Sequence, residues 1–260
     1  MSPARRLLLQ CLGLVALVVV AVAAVALLLG RDSTPRVAVD RVAQDVPGTV
    51  LLVPGYGGST SALDVLAARL REAGRQAVVV RLPGEGTGDL RAQVPVLDQA
   101  VQTALRGGAP SVDVVGYSAG GVVARLYEAD GGAAVTRRVV TLGSPHHGTS
   151  VAALGARFVP ADCPDACQEL VPGSAVLDGL NDGDETPAGP VWLSLWTDVD
   201  ETVTPPDSAR LQGATNVVLQ DVCPGARTPH SQLPRDPAVQ AIVLAALAAG
   251  PVQVPTGCPV

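Results

Sequence analysis

The residue with the clearest capacity for chemistry is Ser118, in Gly116-Tyr117-Ser118-Ala119-Gly120. A β-branched run, Ser111–Val115, precedes it, and a helix-like run from Gly121 to Tyr127 follows. Strand, sharp turn and helix in that order present a serine hydroxyl as a nucleophile. The serine sits in a strained backbone, and the flanking glycines let strand and helix approach closely. The pentapeptide alone is a weak signal in a chain with 28 glycines, so the assignment rests on what else the chain supplies.

A serine hydroxyl needs a base at neutral pH, and histidine is the usual one. The chain has three: His146, His147 and His230. The expected order is serine, acid, histidine, with the histidine after the last strand. His230, in Thr228-Pro-His-Ser-Gln-Leu233, falls in that slot, whereas His146 and His147 come too early. The acid should follow the fifth strand, where Thr197–Pro205 offers Asp198, Asp200 and Glu201. Asp200 is preferred because Val203 and Pro205 can anchor a fixed turn beside it; the others read as ordinary turn residues. Two backbone N–H groups should stabilise a developing oxyanion. One is that of Ala119; the other comes from Gly55-Tyr56-Gly57-Gly58, through the Tyr56 amide. The rival reading of that loop, a phosphate cradle, lacks the Lys-Ser/Thr that such a loop requires.

The elements that must position these groups alternate. Predicted strands are Thr49–Val53, Ala77–Leu82, Ser111–Val115, Arg137–Leu142, Pro190–Trp196 and Asn216–Gln220. Predicted helices follow Ser59/Thr60 as N-cap, over Val94–Leu105, Ala119–Ala129 and Pro237–Ala249. This alternation specifies an α/β fold, a doubly wound and mostly parallel sheet. Residues 150–189 read as an irregular, cap-like insertion at the carboxyl ends of the strands, where such sheets bind ligands. The organisation is thus a targeting segment over 1–31, a linker over 32–47, the catalytic domain over 48–250 and a tail over 251–260.

All 18 basic residues are arginine; three (Arg5, Arg6, Arg31) precede residue 32, leaving 15 basic against 24 acidic in the rest. That balance, with one Phe, two Trp and three Tyr, excludes a basic nucleic-acid footprint. Leu7–Leu29 carries no charge and would span about 35 Å as a helix, enough to cross a bilayer. An uncleaved signal anchor is preferred to a cleaved signal peptide, and both place the domain outside the cytoplasm. Four cysteines follow that run: Cys163, Cys167, Cys223 and Cys258. An even number in an exported domain reads as two disulfides with three possible connectivities. Cys163–Cys167 as a local staple would leave Cys223 to tie Cys258. A zinc site is disfavoured by the spacing, and no cofactor is called for.

Together these segments resemble the α/β-hydrolase lipases and esterases of bacteria. Leu52-Val-Pro-Gly-Tyr-Gly-Gly58 is similar to the family's oxyanion loop, with Pro54 where histidine is common. Gly116–Arg125 is similar to its nucleophile elbow and following helix, Gly143-Ser-Pro-His-His-Gly-Thr149 to a loop of secreted lipases. Cys167–Ser174, with Leu177 and Leu180-Asn181, resembles exported actinobacterial members. The resemblance implies hydrolysis of a small ester or lipid through an acyl-enzyme on Ser118, by a monomer without cofactor or metal. Gly55, Gly57, His146 and His147 would line or brace the site, a purely structural role being as compatible for the histidines. Acyl transfer, thioester cleavage or a non-catalytic binding module on the same fold are the alternatives.

Overall fold

A five-residue run without polar alternation has to be covered on both faces, and β1 (Thr49–Val53) is buried throughout. The computed structural model describes residues 42–259; the apolar run Leu7–Leu29 and most of the linker lie outside them. β1 is joined by β2 (Ala77–Val79), β3 (Val112–Tyr117), β4 (Thr136–Leu142), β5 (Val191–Trp196) and β6 (Thr215–Val218). The six form one sheet in the order β2-β1-β3-β4-β5-β6, with every neighbouring pair parallel. The chain moves outward from β1 to β2, then returns to continue on the other side at β3. That reversal opens a crevice outside the carboxyl ends of β1 and β3.

Both faces are covered by helices. α1 (Ser61–Glu72) presents Leu63, Leu66 and Leu70 at helical spacing, and the last helix, α8 (Pro237–Ala246), presents Val239, Ile242 and Val243. They share a core with Leu52, Val115, Val140, Leu142, Leu193 and Leu195. The alternate strand residues Leu51, Val114 and Val139 point the other way and are buried as well, on the opposite face of the pleat. α2 (Leu90–Arg106) and α3 (Ala119–Ala129) pack against each other.

Several boundaries differ from the sequence reading. β2 stops at Val79 rather than Leu82, as an edge strand paired only with β1. α2 starts at Leu90 rather than Val94 because Asp89 caps it, its Oδ1 accepting from Arg91 N and Ala92 N at 2.6 and 3.2 Å. Thr60 makes no cap bond; its hydroxyl donates to Asp64 Oδ2 instead, at 2.9 Å. The sixth strand ends at Val218 and turns into a short helix, α7 (Leu219–Val222), while α8 closes at Ala246.

The 150–189 segment, expected to be irregular, holds three short helices: α4 (Ser150–Phe158), α5 (Asp165–Glu169) and α6 (Ala175–Asn181). Each is too short to be stable alone, and each is fixed locally. Thr149 and Ser174 cap α4 and α6, and a Cys163–Cys167 disulfide staples α5. α5 also reaches the start of α2 and the loop before it, through main chain with Ala166 N donating to Thr87 O at 3.1 Å and through side chain with Glu169 Oε2 accepting from Leu90 N at 2.7 Å. The second disulfide, Cys223–Cys258, closes a separation of 35 residues. Among the described residues no helix is long and apolar enough to cross a membrane.

Candidate active site

Ser118 stands where β3 ends and α3 begins, with φ 54° and ψ −129°. That region is costly for a residue with a side chain, by about 1–3 kcal/mol, and survives only where the surroundings enforce it. Here Ser118 N donates to Leu142 O at 2.9 Å and Gly121 N to Ser118 O at 3.0 Å. The close strand–helix approach is also real, since a Cβ on Gly116 would lie 2.5 Å from Gly121 Cα. The loop after β1 reaches the same point: a Cβ on Gly55 would sit 2.7 Å from Ser118 Cβ and 3.3 Å from its Oγ. Gly55 and Ser118 therefore share the crevice that the strand order opens.

The acid turn follows β5. Asp200 Oδ1 accepts from Thr202 N at 2.9 Å and Val203 N at 2.7 Å, and buried Val203 anchors the turn. That leaves Oδ2 for His230, whose Nδ1 lies 2.7 Å away. Because a carboxylate only accepts, Nδ1 carries the proton, and in the neutral ring Nε2 keeps its lone pair. Room for this pair depends on Gly143, at φ 52°, where a Cβ would come 3.1 Å from both Asp200 Oδ2 and His230 Nδ1. Asp198, the rejected candidate, is held elsewhere, its N–H donating to Gln220 Oε1 at 3.0 Å.

His230 begins a short 3₁₀ turn, His230–Arg235, ahead of α8. Its ring lies against that of Tyr117, centroids 5.2 Å apart, so the imidazole borders the residue next to Ser118. Ser118, Asp200 and His230 are 8, 5 and 5 % exposed, which is sheltered yet not sealed. Ser118 Oγ has no hydrogen-bond partner among the described residues, and neither the Tyr56 nor the Ala119 N–H donates to an acceptor among them. The hydroxyl and both candidate oxyanion amides are thus uncommitted among the described residues, the Ala119 N–H as the first of a helix, which has no partner within it.

His146 and His147 do not join this group. His146 is fully buried, its Nε2 3.0 Å from Thr141 Oγ1. Thr141 donates to Ser194 Oγ, and Ser194 to Ala209 O, so Thr141 accepts and His146 is protonated on Nε2. Burial, then the charges of Arg125 and His147, holds its pKa well below the ordinary value. His147 bridges Glu185 Oε1 and Ser208 O, at 3.0 and 3.3 Å. Both brace the loop after β4. The insertion is held from α3: Arg125 donates to Leu180 O at 2.8 Å, Asn181 Oδ1 at 2.9 Å and Glu185 O at 3.1 Å. Asn181 Nδ2 in turn donates to His146 O at 3.0 Å.

Sequence reasoning missed Glu201, Tyr117, Gly143 and Arg125. Glu201 was passed over as a turn residue, yet its Oε2 accepts from His230 N at 3.1 Å. Tyr117 carries no role in the sequence pattern, and its hydroxyl donates to His230 O at 3.2 Å. Adjacency to Asp200 and Ser118 was the only signal for either.

A parallel sheet with a strained serine after β3, a carboxylate after β5 and a histidine before the last helix defines a hydrolase-fold protein, and the sequence agrees. The chain belongs to the alpha/beta hydrolase family, which it matches over residues 50–256. No curated protein matches it. Among solved structures it is similar to Aspergillus fumigatus lipase B, with a TM-score of 0.67 and 20% identity over 80% of this chain and 54% of that one. It thus spans about half the length of that lipase. Bacillus licheniformis lipase BlEst2 in mature form gives a TM-score of 0.65 and 18% identity, over 83% of this chain and 96% of that one. An alpha/beta hydrolase from a marine lagoon sediment metagenome, MGS-MChE2, gives 0.53 and 17%, over 77% and 90%.

Proposed function

We propose that the protein hydrolyses carboxylic esters through an acyl-enzyme on Ser118. Ser118 Oγ attacks the ester carbonyl as His230 Nε2 takes its proton. The Asp200 carboxylate keeps the Nδ1–H tautomer and stabilises the imidazolium that forms. The free N–H groups of Tyr56 and Ala119 receive the negative charge on the carbonyl oxygen. His230 returns the proton to the leaving alkoxide, and a water molecule, deprotonated by the same nitrogen, releases the acid. The observation that carries the reading is the Asp200–His230 hydrogen bond of 2.7 Å, in a fold that also strains Ser118 at the sheet's carboxyl end.

Lipases among the structural neighbours support an ester or lipid substrate. So does an exposed apolar stripe, Val151, Leu154 and Phe158, on α4 of the insertion, since contiguous exposed apolar surface marks binding. The two disulfides support a domain that works in an oxidising compartment outside the cytoplasm, and the proposal takes the enzyme as monomeric and tethered through Leu7–Leu29 where that run is retained. Ser118→Ala should abolish hydrolysis of p-nitrophenyl esters, by about 10⁴-fold or more, with an unchanged circular dichroism spectrum. Undiminished turnover would refute the mechanism. A series of acyl chain lengths on the wild type then defines the substrate, with longer chains preferred if the α4 stripe contributes.

A further inference from the structure

His230 is held at more points than its acid partner accounts for. Its Nδ1 is held by Asp200 Oδ2 at 2.7 Å, its main-chain N–H donates to Glu201 Oε2 at 3.1 Å, and its main-chain oxygen accepts from Tyr117 Oη at 3.2 Å. The two extra partners are the immediate neighbours of Asp200 and Ser118. They reach His230 across sequence separations of 29 and 113 residues. We propose that Tyr117 and Glu201 are positioning residues that clamp the His230 backbone, setting the imidazole in register with the elbow on one side and the acid turn on the other. The proposal rests on the hydrolase reading above.

The geometry has a specific reason to exist. His230 is the first residue of the 3₁₀ turn His230–Arg235, and the first N–H groups of a helical turn have no partner within it. The Glu201 carboxylate supplies one for His230 N. A fixed side-chain tautomer orients the ring only if the backbone that carries it is fixed too, and displacement of reacting groups by about 1 Å can cost about 100-fold in rate. Tyr117 packs its ring on the imidazole as well, at a 30° tilt, so two different contacts from one residue restrain main chain and side chain together. Burial, then the carboxylates of Asp200 and Glu201, push its phenol up to about 12. The hydroxyl therefore stays a donor at every pH at which the enzyme would be assayed. Glu201 is exposed, so its bond is the weaker arm.

The test compares Tyr117→Phe, Glu201→Ala and Glu201→Gln with wild type. Phe keeps the ring packing and removes only the donor, and Gln keeps an acceptor oxygen for His230 N. Loss of one neutral hydrogen bond corresponds to between about three- and tenfold. We expect Tyr117→Phe to lower kcat by about that factor with KM unchanged. Glu201→Ala should lose less, and Glu201→Gln should recover wild-type turnover. The acid limb of the pH–rate profile, which reports the base, should not move in Tyr117→Phe, which changes no charge. Turnover equal to wild type in both Tyr117→Phe and Glu201→Ala would overturn the clamp, as would a limb displaced in Tyr117→Phe.

Labelling by a fluorophosphonate separates failure of the clamp from failure of the hydrolase reading. Wild type unlabelled at Ser118 sinks the reading itself, whereas equal labelling rates for wild type and Tyr117→Phe sink only the clamp. A third readout needs no activity. With only three histidines in the chain, the imidazole N–H resonances can be assigned. The His230 Nδ1–H signal should broaden in Tyr117→Phe through faster exchange, and an unchanged signal counts against the clamp.

Discussion

Both ends of the sheet carry a buried aspartate, and the two are used in opposite ways. At the amino end, Asp113 on β3 is fully buried between Arg137 and Arg75. Arg137 reaches it with Nε at 2.9 Å and Nη2 at 2.7 Å, and Arg75 Nη2 at 2.6 Å. Arg137's remaining donors are taken by main-chain oxygens of Gln44, Leu247 and Ala248, and Arg75 also donates to those of Gly48 and Leu247. At the carboxyl end, Asp200 is just as fully hydrogen bonded, but its partner His230 passes the constraint on to a nitrogen that has no partner among the described residues, and the Ser118 hydroxyl and the Tyr56 and Ala119 amides have none among them either. One end turns its buried charges on one another and on main-chain oxygens of residues 44, 48, 247 and 248. The other stops one partner short, and the proposed chemistry uses that shortfall.

The largest expected effect falls on the carboxyl end. Asp200→Asn should keep the turn, because its amide oxygen can still accept from Thr202 and Val203, but it can donate to Nδ1 and so favours the wrong tautomer. The expected loss in kcat is about 10⁴-fold, measured on a soluble ester, with little change in Tm. If Tm falls sharply and activity per folded molecule holds, the contrast between the two ends is wrong. The mirror experiment is Asp113→Ala, which strands two arginines in the interior. It should destabilise by about 3–5 kcal/mol in urea unfolding while leaving kcat per folded molecule near wild type.

The smallest effect sharpens the contrast by testing its exception. Glu128, near the end of α3, is buried at the amino end and only half satisfied. Oε1 accepts from Thr136 at 2.9 Å, and Oε2 has no partner. Burial pushes its pKa up to about 8 from an ordinary value of 4.5, with the Thr136 hydroxyl opposing. The folded state therefore holds a proton that the unfolded chain has lost. Its contribution is fully present below about 4.5 and is lost as pH rises through about 8. Glu128→Gln should be the more stable protein at pH 8.5, by a few kcal/mol at most, with the gap closing at pH 5. A constant gap across that range would show that the carboxyl does not titrate with folding.

Much of this contrast was legible in the chain. β1, α3 and the order serine, aspartate, histidine could be read because each is a local pattern placed in a known slot. Asp200 was separable from Asp198 because a hydrophobic anchor, Val203, follows it at turn distance. The clamp on His230 was not legible, since its bonds end on main-chain atoms whose position only the folded sheet fixes. The helices of the insertion were hidden for a related reason. α5 spans Asp165–Glu169, too short for periodicity to show, and it is held by a disulfide and by contacts with residues 87 and 90. Gln220 was read as strand, but its side chain bonds Thr197 Oγ1 and Ala226 O, at 2.9 and 3.1 Å, and helps close a helical turn there.

Arg125 sets a rule for remodelling the enzyme. One guanidinium on the elbow helix grips the insertion through the main chain of residues 180 and 185 and the side chain of Asn181. Burial lowers its pKa only to about 10, so it is a cation at working pH and requires those acceptors. The stretch from α4 through α5 has no such obligation to the elbow helix and is the interchangeable part. Chimeras that exchange 150–169 with another hydrolase leave all three acceptors of Arg125 and the cap of α6 in place, whereas a splice that takes in residues 180–185 has to bring three matching oxygens with it.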